Sequence, residues 1–160
     1  MTKKLVALVM ALMMLLSVTA LAETADTSDW ETYNFEDAQL TISCPADMAA
    51  VELTDEQTEA GICFATAAAD GSLSMAVYCF DPEGATLADA QAEMETTEGY
   101  QVNGIDVVAF STVANETAVL GCLVMGADGY VYQFMFMPTN DAGTQMADQI
   151  ISTLNVLKAE

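Results

Sequence analysis

The sequence predicts an α+β fold: an antiparallel β-sheet of about six to eight strands with two helices packed on it, an α/β/α sandwich. Three observations carry this. Asp70-Gly71, Asn103-Gly104 and Asp128-Gly129 each lie between two extended, apolar runs, the signature of tight hairpins. The segment from Thr86 opens with a helix cap, and both it and the segment starting near Asn140 carry helical apolar spacing. The order strands, helix, strands, helix suits a sheet of hairpins with helices laid on it.

The first 22 residues read as a secretory signal peptide. "MTKK" is a short basic start, "LVALVMALMMLL" an apolar run, and Ala20 and Ala22 occupy the small positions of a cleavage site. Cleavage is expected between Ala22 and Glu23. The apolar run is short for a span, which takes about 20 residues, so no membrane association is expected after cleavage. The short basic start points to a bacterial host and a secreted or extracytoplasmic destination. Residues 23–32 are polar and read as a flexible lead-in. Residues 33–160 read as a single α+β domain.

Within that domain, "FEDAQLTISCP" predicts a strand in which Leu40, Ile42 and Cys44 share a face and Pro45 ends it. "AAVEL", 49–53, predicts a short second strand, and "TDEQTEA" an acidic loop. Ile62–Ala67 and Leu73–Phe80 pair around Asp70-Gly71. A three-residue loop would set Cys63 opposite Cys79, and a two-residue loop would set it opposite Tyr78. "TLADAQAEMETTEG" predicts a helix with Thr86 as N-cap, Asp89 completing a capping box and Gly99 at its C-terminal end. "YQVNGIDVVAF" is a hairpin at Asn103-Gly104, and a further hairpin turns at Asp128-Gly129. The last helix starts near Asn140, with Met146, Ile150, Leu154 and Leu157 as one stripe.

"YVYQFMFMP" places Tyr130, Tyr132, Phe134 and Phe136 on alternate positions, hence on one face of a strand. Val131, Met135 and Met137 make the other face apolar too, as in a strand covered on both sides. The stripe predicts a core floor beneath a helix; the competing reading is a stacking face for sugar or peptide.

Composition closes several classes of function. The chain has 24 acidic residues, three basic ones and no histidine, for a net charge of −21. Loss of Lys3 and Lys4 with the signal leaves Lys158 alone and takes the charge to −23. A nucleic-acid binder needs basic side chains to displace counterions, so no nucleic acid is expected as a partner. A cationic protein or peptide is. Without histidine there is no Ser-His-Asp or Cys-His site and no His-ligated zinc. No P-loop and no dinucleotide fingerprint occurs. No catalytic residues and no cofactor are expected.

Four cysteines, Cys44, Cys63, Cys79 and Cys122, are candidates for two disulfides in an exported chain, with three pairings open. Two acidic loops offer calcium ligands: Asp55, Glu56 and Glu59 in one, and Asp81, Glu83 and Asp89 in the other. Neither has EF-hand spacing.

The sequence resembles small exported PsbP-like and DcrB-like domains over residues 33–157. The resemblance rests on a strand closing in "ISCPADM", an acidic loop, a hairpin, a helix opening "TLADAQAEM", two hairpins and the last helix "ADQIISTLNVL". It implies an α/β/α sandwich with an antiparallel sheet and an accessory or binding role without common catalytic residues. The expected function is a secreted, non-catalytic binding or accessory domain with an acidic surface. The alternatives are a calcium-stabilised structural domain and a thiol-based redox protein.

Overall fold

A computed structural model describes residues 27–93, 99–114 and 117–158. The expected signal segment 1–22, the expected cleavage site between Ala22 and Glu23, and residues 23–26 lie outside these. Among the described residues ten strands form two antiparallel sheets. The main sheet has seven: β3 (Met48–Ala50), β4 (Ile62–Ala68), β5 (Leu73–Phe80), β9 (Val131–Pro138), β8 (Thr117–Met125), β7 (Ile105–Ala114) and β6 (Gly99–Val102), in that spatial order. A small sheet contains β1 (Glu31–Phe35), β2 (Leu40–Cys44) and β10 (Asn155–Val156), with β2 in the middle.

Three helices complete the described elements: α1 (Asp55–Glu59), α2 (Leu87–Glu93) and α3 (Asp141–Ser152). α3 lies across β9, β5 and β8 and against β2, so it shares one face of the main sheet with the small sheet. α2 packs on β7 and β8. There Ala90 and Leu87 meet Val108, Leu123 and Val131 of the opposite face. The predicted α/β/α arrangement is therefore present, and the small sheet is an addition to it.

The aromatic stripe is core. Phe134 and Phe136 are fully buried and Tyr132 nearly so, in one cluster with Ile150 and Ala147 of α3 and Ile42 of β2. Phe35 of β1 stands edge-on to Phe134, with centroids 5.7 Å apart and planes at 90°. Tyr130 departs from the expectation: it precedes the strand and is 43% exposed.

Several local expectations change. The lead-in was expected to reach residue 32, but β1 already begins at Glu31 and makes a hairpin with β2. The single strand read through "FEDAQLTISCP" is thus the end of one strand, a turn at 36–39 and then β2. The second short strand is Met48–Ala50, not 49–53. "TDEQTEA" is not a loop: Thr54 caps α1 through a reciprocal pair. Gln57 N donates to Thr54 Oγ1 at 3.3 Å and Thr54 N donates to Gln57 Oε1 at 2.9 Å. α1 buries no residue, so no apolar period announced it.

Cys63 faces neither Cys79 nor Tyr78. Ile62 pairs with Tyr78 and Phe64 with Val77, and Cys63 is the extra residue of a β-bulge. The Thr86–Asp89 capping box forms as expected, with Thr86 N donating to Asp89 Oδ2 at 2.8 Å. Gly99 opens β6, and the stretch between it and the described part of the helix, 94–98, lies outside the described residues. Asn103 and Gly104, at φ 50° and 84°, make the turn their pairing predicted. Asn140 caps α3, accepting from Gly143 N at 2.9 Å.

α3 is shorter than its stripe suggests. The Thr153 hydroxyl donates to Ser43 O at 3.2 Å and to Ile150 O at 2.7 Å, while Ser43 N donates back to it at 2.8 Å. This stops the helix against β2. Leu154 is then buried after the helix, and Asn155–Val156 pair with β2 as β10.

Candidate functional site

At one end of the sandwich five elements converge on a shallow, open cleft of about 320 Å³. The turn 36–39 forms one side. Ala127 N in the β8–β9 loop donates to Ala38 O at 2.9 Å, and Leu157 N beyond β10 donates to Gln39 O at 2.9 Å. One turn therefore clamps two neighbouring walls. The start of β7, directly after the Asn103-Gly104 turn, and the first residue of α2 supply the rest.

The walls are apolar: Leu87, Ile105, Met125 and Val156 line them. Val156 is half exposed and Ile105 is buried. Two polar side chains interrupt this surface. Gln39, in left-handed backbone at φ 55°, is held by its Nε2 donating to Glu36 O at 2.7 Å. Asp106 is exposed and accepts from Gln101 Nε2 at 2.8 Å, which fixes the carboxylate at the cleft wall. Glu36, Asp37 and Asp128, all exposed, belong to the same two loops. A cation with an apolar stem would satisfy both the carboxylate and the walls.

The residues anticipated for other chemistry lie elsewhere. Asp55, Glu56 and Glu59 are exposed along α1. Asp81 accepts from Glu83 N at 2.8 Å in a turn, and Asp89 is engaged by its cap. Hydrogen bonds from Thr86 hold the Asp89 carboxyl below its ordinary range. Among the described residues no three His, Cys, Asp or Glu side chains come together as a metal site would require.

All four cysteines are free thiols in this structure, where two disulfides were candidates. Cys44 and Cys122 are buried in β2 and β8, Cys63 is exposed and Cys79 half-exposed. Burial pushes the thiols of Cys44 and Cys122 up to about 12. Cys63 is exposed as a residue, but desolvation around its sulfur, and then Cys79, push its thiol up to about 11. Cys79 is also raised, chiefly by burial. Near neutral pH these thiols are protonated, which makes them weak nucleophiles. The Cys79 thiol lies in hydrogen-bond contact with the Tyr132 hydroxyl, which donates to Asp128 Oδ2 at 2.8 Å.

The cleft residues were not singled out from sequence. The Asn-Gly turn was legible and places Asp106 at a sheet end, but nothing in one sequence said that the turn 36–39 would fold back beside it. Among the described residues no helix is long and apolar enough to cross a membrane.

This architecture is a PsbP-like fold. It is similar to the solution structure of cyanobacterial PsbP (CyanoP) from Synechocystis sp. PCC 6803, with a TM-score of 0.62 at 12% identity over 86% of this chain and 98% of that one. It is also similar to a crystal structure from Bacteroides thetaiotaomicron VPI-5482, with a TM-score of 0.57 at 14% identity over 81% of this chain. The chain spans about half the length of that protein, 49%. No family model and no curated protein matches the sequence.

Proposed function

We propose that this chain is an exported, non-catalytic accessory domain that holds a cationic, partly apolar segment of a partner protein in the end cleft. The observation that carries the reading is Asp106. Its carboxylate accepts from Gln101 at the wall of a largely apolar cleft, in a chain whose one basic residue outside the first 22 positions is Lys158. The PsbP-like fold supports an accessory role, and the signal-like start supports export. The acidic surface would steer a basic partner to the cleft, and the apolar walls would hold it after the charges meet.

An acidic protein attracts any basic peptide, so the test must separate cleft from coat. Acetylated Leu-Lys-Leu-Lys-Leu amide is titrated into the mature chain by calorimetry, beside the neutral peptide with glutamine in place of each lysine. Asp106→Asn and the exposed control Glu52→Gln remove the same charge. The expected result is a five-fold or greater loss of affinity for Asp106→Asn and less than two-fold for Glu52→Gln, with no binding of the neutral peptide. Equal losses in the two variants would make the cleft irrelevant.

A further inference from the structure

We propose that Cys63 and Cys79 are a disulfide-forming pair, while Cys44 and Cys122 are structural thiols that stay reduced. The argument starts from the bulge. Cys79 N donates to Gly61 O at 2.9 Å, so Gly61 is the residue across from Cys79. Ile62 then pairs with Tyr78, and Cys63 and Phe64 together oppose Val77. Alternate residues of a strand share a face, so Cys79 lies on the face of Val77. In a two-against-one bulge both extra-side residues lean to that same face.

Phe64 takes the core position there, its ring against Tyr33 at 4.7 Å and Phe35 at 5.8 Å. Cys63 is left at the surface, exposed, diagonal to a half-exposed Cys79. Gly61 places no side chain between them. Cys79 is close enough to raise the Cys63 thiol electrostatically. Near them lie Asp37 and Asp128, both acidic, and the Tyr132 hydroxyl.

Ordinary diagonal neighbours stand about 7–8 Å apart at Cα, slightly beyond what a disulfide spans. Here Cys63 is the extra residue of a bulge, which bends the strand that carries it, so the pair is not held at the ordinary diagonal spacing. The other two cysteines have no such neighbour. Cys44 pairs with Glu31, and Cys122 pairs with Ala109 and Phe134.

The chemistry is thiol–disulfide exchange with a small-molecule disulfide as oxidant. One cysteine thiolate attacks the oxidant, forming a mixed disulfide and expelling one small thiolate. The second cysteine thiolate attacks the protein sulfur of that mixed disulfide and expels the other. Two protein thiols lose two electrons, the oxidant becomes two thiols, and the two protons pass to the leaving thiolates.

The test treats the native mature chain with oxidised glutathione and reads intact mass and linked peptides. The expected product has lost two hydrogens, carries a Cys63–Cys79 linked peptide and keeps Cys44 and Cys122 reduced. Its rate rises with pH between neutral and mildly alkaline pH, because both thiols are held above their ordinary value. Cys63→Ser, checked for fold by circular dichroism, should stop at one glutathione on Cys79. Separate glutathione adducts on Cys63 and Cys79, a bridge to Cys44 or Cys122, or no reaction would each overturn the pairing.

Discussion

Phe134→Ala and Tyr130→Ala start from one sequence pattern and should end at opposite energies. Phe134 is fully buried at the centre of β9, beneath α3 and edge-on to Phe35 at 5.7 Å. Truncating a buried Phe costs about 3–5 kcal/mol through lost transfer energy and the cavity left behind. Loss of the edge-to-face pair, worth about 0.5–1.5 kcal/mol, places the expected value in the upper half of that range. Tyr130 is 43% exposed and lies before the strand, so its truncation should stay within about 0.5 kcal/mol. Urea unfolding of the mature chain, followed by the fluorescence of Trp30 against the core, reads both. With an m-value of about 2 kcal/mol/M, Phe134→Ala moves the midpoint down by about 2 M and Tyr130→Ala by about 0.2 M. A loss under about 1 kcal/mol at Phe134, or equal losses at both, would refute the assignment of the stripe to core.

Three further outcomes follow from close contacts and burial. A Cβ at Gly143 would press into the carbonyl oxygen of Ser72 and stand 3.1 Å from Pro138 Cβ. Gly143→Ala should therefore lower the unfolding midpoint, since overpacking of about 1–3 kcal/mol exceeds a helix-propensity gain of up to about 1 kcal/mol; a raised midpoint would contradict this. Asn103 sits at φ 50° and its Nδ2 donates to Leu154 O at 2.7 Å and Ser152 O at 3.3 Å. Asn103→Ala should cost about 2 kcal/mol and Asn103→Gly about half of that, because glycine keeps the turn and loses only the tie to α3; equal costs would argue against this division. Cys44 and Cys122 titrate near 12 in the fold against an ordinary 9.0. The unfolded chain therefore loses those protons first. Stability should be intact below about pH 9 and fall between about pH 9 and 12, by up to about 1.4 kcal/mol per unit for each thiol. Denaturant curves at rising pH should be shallower in this window for Cys122→Val; an unchanged slope would mean that this thiol is not protected.

Hairpins, caps and the sheet-plus-helix class were legible because they depend on neighbours in sequence. Asn103-Gly104 needs only two residues that accept positive φ, and Thr86 only a side chain that reaches the amide of Asp89, three residues on. Elements set by distant partners were not legible. β1 is a mostly exposed strand, and the fit of Tyr33 and Phe35 over Phe64, Tyr132 and Phe134 makes it part of the core. β10 continues an apolar spacing that reads as helix, and it is the bond network between Thr153 and Ser43 that ends the helix. The register at Cys63 could not follow from loop length, because a bulge adds a residue after the turn has set the pairing. The cleft combines Gln39, Asp106 and Val156, far apart in sequence, and no local pattern marks them as neighbours.

The central claim is that a cation is received at this cleft and not by the acidic coat at large. The most direct measurement is a two-dimensional amide NMR titration of the mature chain with the lysine–leucine peptide, repeated with its glutamine counterpart. The account predicts saturable shifts concentrated at Gln39, Asp106, Gly126 and Ala127 for the basic peptide alone. Shifts of equal size along the exposed acids of α1, or none at the cleft, would contradict it.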